Sequence, residues 1–199
     1  PQKMLHPGIY ENFKKSRTVA LNHPGVEILA NSRIEAEIGF ADITVAETTA
    51  AYFLQHPELC EEVFGSYSLL IVCRNETEMQ QVAESLQGQL TCAVFGTETE
   101  LQQHQHLISI LQKKLGRFIC NAVPTGVRVA TAMQHGGPFP ASTDSRFSSV
   151  GADGIRRFMR PVCYQNWPDS LLPPELQAAN PYSLSRMVDE KWEIPFTDN

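Results

Sequence analysis

Two runs carry residue types that could do chemistry. The first is Glu61-Glu62-Val63-Phe64-Gly65, a carboxylate pair beside an aromatic residue and a glycine. A carboxylate in such a setting can accept two hydroxyl hydrogen bonds from a ribose, and charge-assisted bonds of that kind contribute about 1.5–3 kcal/mol each. The run lies between a short helical turn at Pro57-Glu58-Leu59 and an apolar strand beginning near Ser68. Ligands of parallel α/β sheets gather at the carboxyl ends of strands, whereas this run enters a strand at its amino end. On pattern alone a solvated acidic pair on a connecting turn is therefore the plainer reading.

The second run is the stretch from Gly116 to Ser145. It opens as a strand, Arg117-Phe118-Ile119-Cys120, and continues as a loop rich in Gly and Pro: Pro124, Gly126, Gly136, Gly137, Pro138 and Pro140. That chemistry fixes a non-repetitive backbone. Val123, Val127, Val129, Met133 and Phe139 punctuate it, too much apolar surface for a free linker. Long semi-apolar loops in compact domains are usually functional. His135, before Gly136-Gly137-Pro138, is the candidate polar group, as acid/base or pocket residue, with Met133 and Phe139 as walls. Such a pocket belongs at the carboxyl ends of the strands. By chemistry alone a structural imidazole tying down the Gly-Gly-Pro turn is favoured.

Other reactive types are less promising. Cys73, Cys92, Cys120 and Cys163 lie in apolar, strand-like runs, and Cys60 precedes two carboxylates. A nucleophilic thiolate needs an electropositive, partly exposed setting, so all five are expected to be buried and inert. Five cysteines without a C-x-x-C pair suit free thiols in the cytoplasm. His104 and His106 stand two apart on a helix and face different ways, which excludes a metal pair there. Neither H-x-x-x-H, a phosphate-loop lysine motif nor G-x-G-x-x-G occurs, and no metal is expected.

The elements that must position these runs can be read from periodicity. His6–Leu21 has a helical pattern; Val26–Leu29, Ile43–Ala46 and Ala50–Leu54 read as short strands. Ser68–Cys73 is a continuous apolar run expected to be buried on both faces. Met79, Val82, Ala83 and Leu86 place a helix over Glu76–Leu86. Leu90–Phe95 reads as a second buried strand, Glu98–Leu115 as one helix ended by Gly116, and Phe118–Cys120 as a third strand. This βαβαβ order predicts an α/β fold with a parallel sheet and covering helices. Arg160–Gln165, opened by Pro161, suits an edge strand. Short helices are expected from Leu171 and over Pro181–Asp189.

The 199 residues are 42% hydrophobic with a net charge of -6. The acidic balance and the absence of basic runs argue against nucleic acid as a partner. No apolar run approaches the roughly twenty residues of a membrane span. Without an initiating Met, the chain is expected to be a fragment.

Four stretches together resemble the aldehyde dehydrogenase superfamily: HPELCEEVFG (His56–Gly65), GRFICNAVPTGV (Gly116–Val127), AMQHGGPFPASTDSRFSSVG (Ala132–Gly151) and IRRFMRPVCYQNWPDSLLPPEL (Ile155–Leu176). Within it they look like the NADP-dependent bacterial branch that includes α-ketoglutaric semialdehyde (2,5-dioxopentanoate) dehydrogenases and a fatty aldehyde dehydrogenase. The likeness runs over almost the whole chain in one register and is loose in the first fifty residues. It implies the C-terminal part of such an enzyme. Residues 1–154 would belong to the catalytic α/β domain, and 155–199 would form an oligomerisation strand and a C-terminal helical tail.

The nucleophilic Cys, the general-base Glu and the Rossmann-like cofactor domain would lie upstream. There a thiolate attacks an aldehyde, hydride passes to NADP or NAD, and water releases the carboxylate. Glu62 and Phe64 match the family's E-x-F-G-P motif, with Ser66 in place of Pro; the glutamate would hold the nicotinamide ribose and the phenylalanine would flank the ring. Asn121 matches a structural Asn at a strand end. His135 and Phe139 fall in the segment lining the aldehyde pocket. Expected partners are a small-molecule aldehyde, the protein's own N-terminal domain, and further copies in a homodimer or tetramer. The competing reading is a non-catalytic scaffold or pseudoenzyme piece of the same fold.

Overall fold

The computed structural model describes residues 2–32 and 38–195. In chain order the elements are β1 (Gln2–Lys3), α1 (Pro7–Leu21), β2 (Glu27–Asn31), β3 (Phe40–Ala41), β4 (Thr44–Thr49), α2 (Ala50–Gln55), β5 (Tyr67–Val72) and α3 (Glu76–Ser85). Then follow β6 (Gln89–Val94), α4 (Glu98–Gln103), α5 (Gln105–Gln112), β7 (Leu115–Cys120), β8 (Arg186–Val188) and β9 (Lys191–Glu193). Two compact units divide the chain, residues 1–157 and 158–199.

In the first unit the parallel pairings are β4 with β5 and β6 with β7. β2 adds antiparallel to the other side of β4. The βαβαβ reading is thus met as an α/β fold, but not as one ladder: β5 and β6 are not paired, so the parallel strands form two sheets. The core is small and centred on β4. Its inward face carries Thr44, Ala46 and Thr48, none more than 3% exposed. Ala46 packs with Val26, Ala50, Phe53, Leu59 and Val82. The two threonines bury their hydroxyls with partners: Arg17 Nε donates to Thr44 Oγ1 at 2.7 Å, and Thr48 Oγ1 donates to the Gly25 carbonyl at 2.7 Å.

Several sequence expectations need correction. Ala50–Leu54 is a helix rather than a strand, because Thr49 Oγ1 accepts from the Tyr52 amide at 3.2 Å and caps its amino end. β5 is not covered on both faces: Tyr67, Leu69 and Ile71 turn to the core, while Leu70 and Val72 are 48% and 47% exposed. Glu98–Leu115 is two helices broken at His104. Leu115 and Gly116 already belong to β7, so Gly116 does not end the helix. A capping box between Thr97 and Glu100 starts α4, and Asn75 Oδ1 accepts from the Glu78 amide to start α3. Glu78, buried, is clasped by the Arg74 side chain and amide.

The second unit contains no α-helix among its described residues. Short 3₁₀ turns occupy Asp169–Leu171 and Pro174–Leu176. The expected helix over Pro181–Asp189, and with it the helical tail, is replaced by the β8–β9 hairpin. Its two-residue turn, Asp189-Glu190, has both φ angles positive, 48° and 63°, the geometry that matches strand twist in tight hairpins. Arg186 holds the hairpin, pairing with Glu193 and donating to the Gln177 and Ala178 carbonyls. Arg160–Gln165 joins no ladder among the described residues and is exposed.

Candidate functional site

The carboxylate run is positioned by what precedes and follows it. Upstream, the 3₁₀ turn Pro57–Cys60 anchors Leu59 in the core at 8% exposure. Downstream, the Thr44 amide donates to the Ser66 carbonyl at 2.9 Å, joining the run to β4 before β5 begins. Between these anchors Glu61 and Glu62 are exposed, and Phe64 is 57% exposed. Neither Glu61 nor Glu62 makes a salt bridge with the described residues.

Three clefts meet at this pair. One, about 280 Å³, lies against α1 and is lined by Asn12, Lys15, Ser16 and His23. A second, about 760 Å³, carries Phe64, Ile9, Tyr67 and Leu69. A third, about 530 Å³, is closed by Gln89, Thr91, Pro140 and Ala141. The structure therefore brings the Glu61-Glu62 run and the His135–Pro140 loop, far apart in sequence, to one cleft.

That loop is held from both sides. Asn121, at φ 51°, ties the carboxyl ends of β6 and β7: its amide donates to Val94 O at 2.8 Å, and its side chain exchanges two 2.9 Å bonds with Gly96. Further on, the His135 amide donates to Ser148 Oγ at 3.2 Å. The His135 carbonyl accepts from the Ser149 amide at 3.1 Å and from Ser149 Oγ at 2.7 Å. The loop backbone then presses on Gly88 and Gly116, where a Cβ would collide with the Pro138 and Gly136 carbonyls. Gly88 and Gly116 stand at the amino ends of β6 and β7, so the loop does not run over the carboxyl ends as expected. The absence of two side chains makes room for it there. His135 is half-buried, and its Nδ1 is buried without a partner among the described residues. Phe139 is 81% exposed.

Downstream in the same loop Arg146 donates to Asp144 through Nε at 2.9 Å and Nη2 at 2.6 Å. The side-chain bonds of Arg146, then its backbone bond, hold the Asp144 carboxyl down to about 2. Because the folded value is depressed, this contribution to stability is present above the ordinary carboxylate range near 3.9 and is lost as pH falls toward 2. An NMR titration should find the Asp144 midpoint near that value, and Arg146→Gln should return it to the ordinary range. An unshifted midpoint in the unsubstituted chain would contradict the pairing.

The cysteines need a partial correction. Burial pushes the Cys60, Cys73 and Cys92 thiols up, which keeps them protonated. None of the five is fully buried, however: Cys60, Cys73 and Cys92 are half-buried, and Cys120 and Cys163 are exposed. His104, at the helix break, reaches Glu76 at 3.2 Å.

One cluster escaped the sequence reading. His23, after α1, meets His56 and Glu58, with ligand-type atoms all within 4.8 Å of one another. The H-P-E spacing of His56 and Glu58 was visible as a turn; nothing local to His23 announces its partners.

No helix among the described residues is long and apolar enough to cross a membrane. No protein-family profile matches the chain. The α-ketoglutaric semialdehyde dehydrogenase 2 of Azospirillum brasilense is 41% identical over 96% of this chain, and that of Acinetobacter baylyi is 39% identical over 95%. The chain spans 36% of the length of each relative and matches their C-terminal part. Among solved structures, a Streptococcus pyogenes succinic semialdehyde dehydrogenase in complex with NADP+ aligns with TM-score 0.59 and 16% identity, over 77% of this chain and 31% of that one. A Staphylococcus aureus betaine aldehyde dehydrogenase in complex with NAD+ aligns with TM-score 0.59 and 20% identity, over 78% and 29%.

Proposed function

We propose, for a chain that has the aldehyde dehydrogenase fold and matches the C-terminal part of α-ketoglutaric semialdehyde dehydrogenases, that it serves a cytoplasmic NAD(P)-dependent enzyme oxidising a 2,5-dioxopentanoate-class aldehyde to its carboxylate. NADP is the favoured cofactor. The observation that carries this reading is the 41% identity sustained over 96% of the chain, which includes the E-x-F-G run and the His135 loop.

The residues present suit the cofactor's polar end. Glu62 offers a carboxylate that is exposed on a cleft and free of ion pairs with the described residues. It can accept from both ribose hydroxyls, while Phe64, beside it and also exposed, offers a flat apolar wall. When bound, NAD(P)+ accepts the hydride. Glu62 and Phe64 orient the nicotinamide; the place of His135 and Phe139 at the substrate mouth rests on the family likeness alone, since their loop lies at the amino ends of β6 and β7 and Phe139 is 81% exposed. Residues 1–154 act as catalytic-domain scaffold and 155–199 as the oligomerisation part. Exposed Val162 and Tyr164 offer an edge to a second copy in a homodimer or tetramer, and the apolar row of β5 offers a face to the protein's own N-terminal domain.

The nucleophile is not among the five cysteines. Three have thiols pushed up by burial, and none has the sequence context of the family nucleophile. The 199-residue chain assayed alone with aldehyde and NADP should therefore form no reduced cofactor, whereas the longer protein containing it should turn over. Cofactor reduction by the chain alone, abolished by replacing one of its cysteines, would refute the assignment; an inactive longer protein would favour a scaffold.

A further inference from the structure

His23 lies in the turn after α1, and His56 and Glu58 lie two residues apart where α2 runs into the 3₁₀ turn Pro57–Cys60. His56 Nδ1 lies 3.1 Å and His23 Nε2 3.7 Å from the same oxygen, Oε1 of Glu58. Hydrogen bonding accounts for the first contact only, since 3.7 Å is beyond N–H···O range. The convergence of two imidazole nitrogens on one carboxylate oxygen, with all three atoms within 4.8 Å, has the span of a metal shell. Ligands about 2.0–2.1 Å from a tetrahedral zinc lie roughly 3.3 Å apart.

The rings are also fixed in place. Tyr52 stacks on His56 with centroids 4.1 Å apart and meets His23 edge-on at 6.2 Å, while the two imidazoles are 5.3 Å apart. Gly25 leaves room for this stack, since a Cβ there would overlap the Tyr52 ring. The His23 side chain is 14% exposed, against 46% for Glu58.

We infer that His23, His56 and Glu58 bind one zinc-class divalent cation, with water completing its coordination from the cleft that His23 and Glu58 line. Two histidines and a glutamate form a donor set suited to zinc with an open position. The site opens into the cleft that Glu61 and Glu62 also line, but its three donors are not among the residues assigned above to cofactor and aldehyde, and the inference does not depend on that assignment. Such an ion would lash α1 to the turn that leads into Glu61 and Glu62.

The test is titration of the 199-residue chain with Zn²⁺ and Co²⁺ at neutral pH, alongside His23→Gln and Glu58→Gln. The expected result is saturation at one equivalent, a zinc-dependent rise in melting temperature, and a four-coordinate Co²⁺ spectrum without near-ultraviolet thiolate bands. Each variant should weaken binding by more than about 100-fold, beyond the 10- to 100-fold commanded by an outer hydrogen-bond partner. Glu58→Gln alters a half-exposed group, so circular dichroism should show an intact fold. Unchanged affinity in either variant, absence of one-equivalent saturation, or thiolate bands placing the metal on cysteine would each overturn the inference.

Discussion

Glu62→Gln in the full-length enzyme should slow hydride transfer by about 10- to 100-fold. Gln keeps the shape of the side chain but turns two charge-assisted acceptor contacts into neutral ones. Charged hydrogen bonds contribute about 1.5–3 kcal/mol each, and a tenfold rate change corresponds to about 1.4 kcal/mol. Glu62 has no ion pair with the described residues to lose, so the folded state should be unaffected. The defect should appear in single-turnover kinetics at saturating cofactor, because a mispositioned nicotinamide lowers the rate of the step itself. Glu61→Gln is the control and should leave that step unchanged. A normal hydride step in Glu62→Gln would remove the ribose role.

Phe53→Ala should cost about 3–5 kcal/mol of stability, the range for truncating a buried aromatic. Phe53 is 2% exposed, at the centre of the cluster formed with Val26, Ala46, Ala50, Leu59 and Val82. Partly buried neighbours such as Leu21, Leu69 and Leu86 also pack against the cluster, and relaxation there would place the loss toward the lower end of the range. The loss should appear as a large fall in the urea midpoint, or as no cooperative transition at all. Phe64→Ala, at an exposed position, should change stability by less than about 0.5 kcal/mol. Equal effects of the two substitutions would show that this core is not what holds the first unit.

The contrast between the two phenylalanines shows where sequence reading succeeded and where it stopped. The Glu61–Gly65 run and the His135 loop stood out because glycine, proline, aromatic and carboxylate residues were adjacent in the chain. That they share a cleft was not visible, since it depends on Gly88 and Gly116 admitting the loop backbone. Ala50–Leu54 misled because an apolar five-residue run has no period of its own; the Thr49 cap decides it. The helix over Glu98–Leu115 was half right, as its apolar spacing persists across the break at His104. Pro181–Asp189 failed because the positive φ angles at Asp189 and Glu190 belong to a hairpin turn filled by Asp and Glu, without the glycine that usually signals one. The burial expected for β5 assumed a second covering layer, which the described residues do not supply.

The open outer row of β5 also governs how the chain responds to temperature. Leu70 and Val72 stay in water in the folded state, as do Phe64, Phe139 and Trp192, so unfolding transfers less apolar surface than a typical domain of this length would. Heat capacity of unfolding tracks that surface, at about 12–15 cal/mol/K per residue in ordinary domains. Here it should fall below that range, with a flatter free-energy curve, which scanning calorimetry would check. A surface that covers Leu70 and Val72 should raise the stability maximum and restore the curvature.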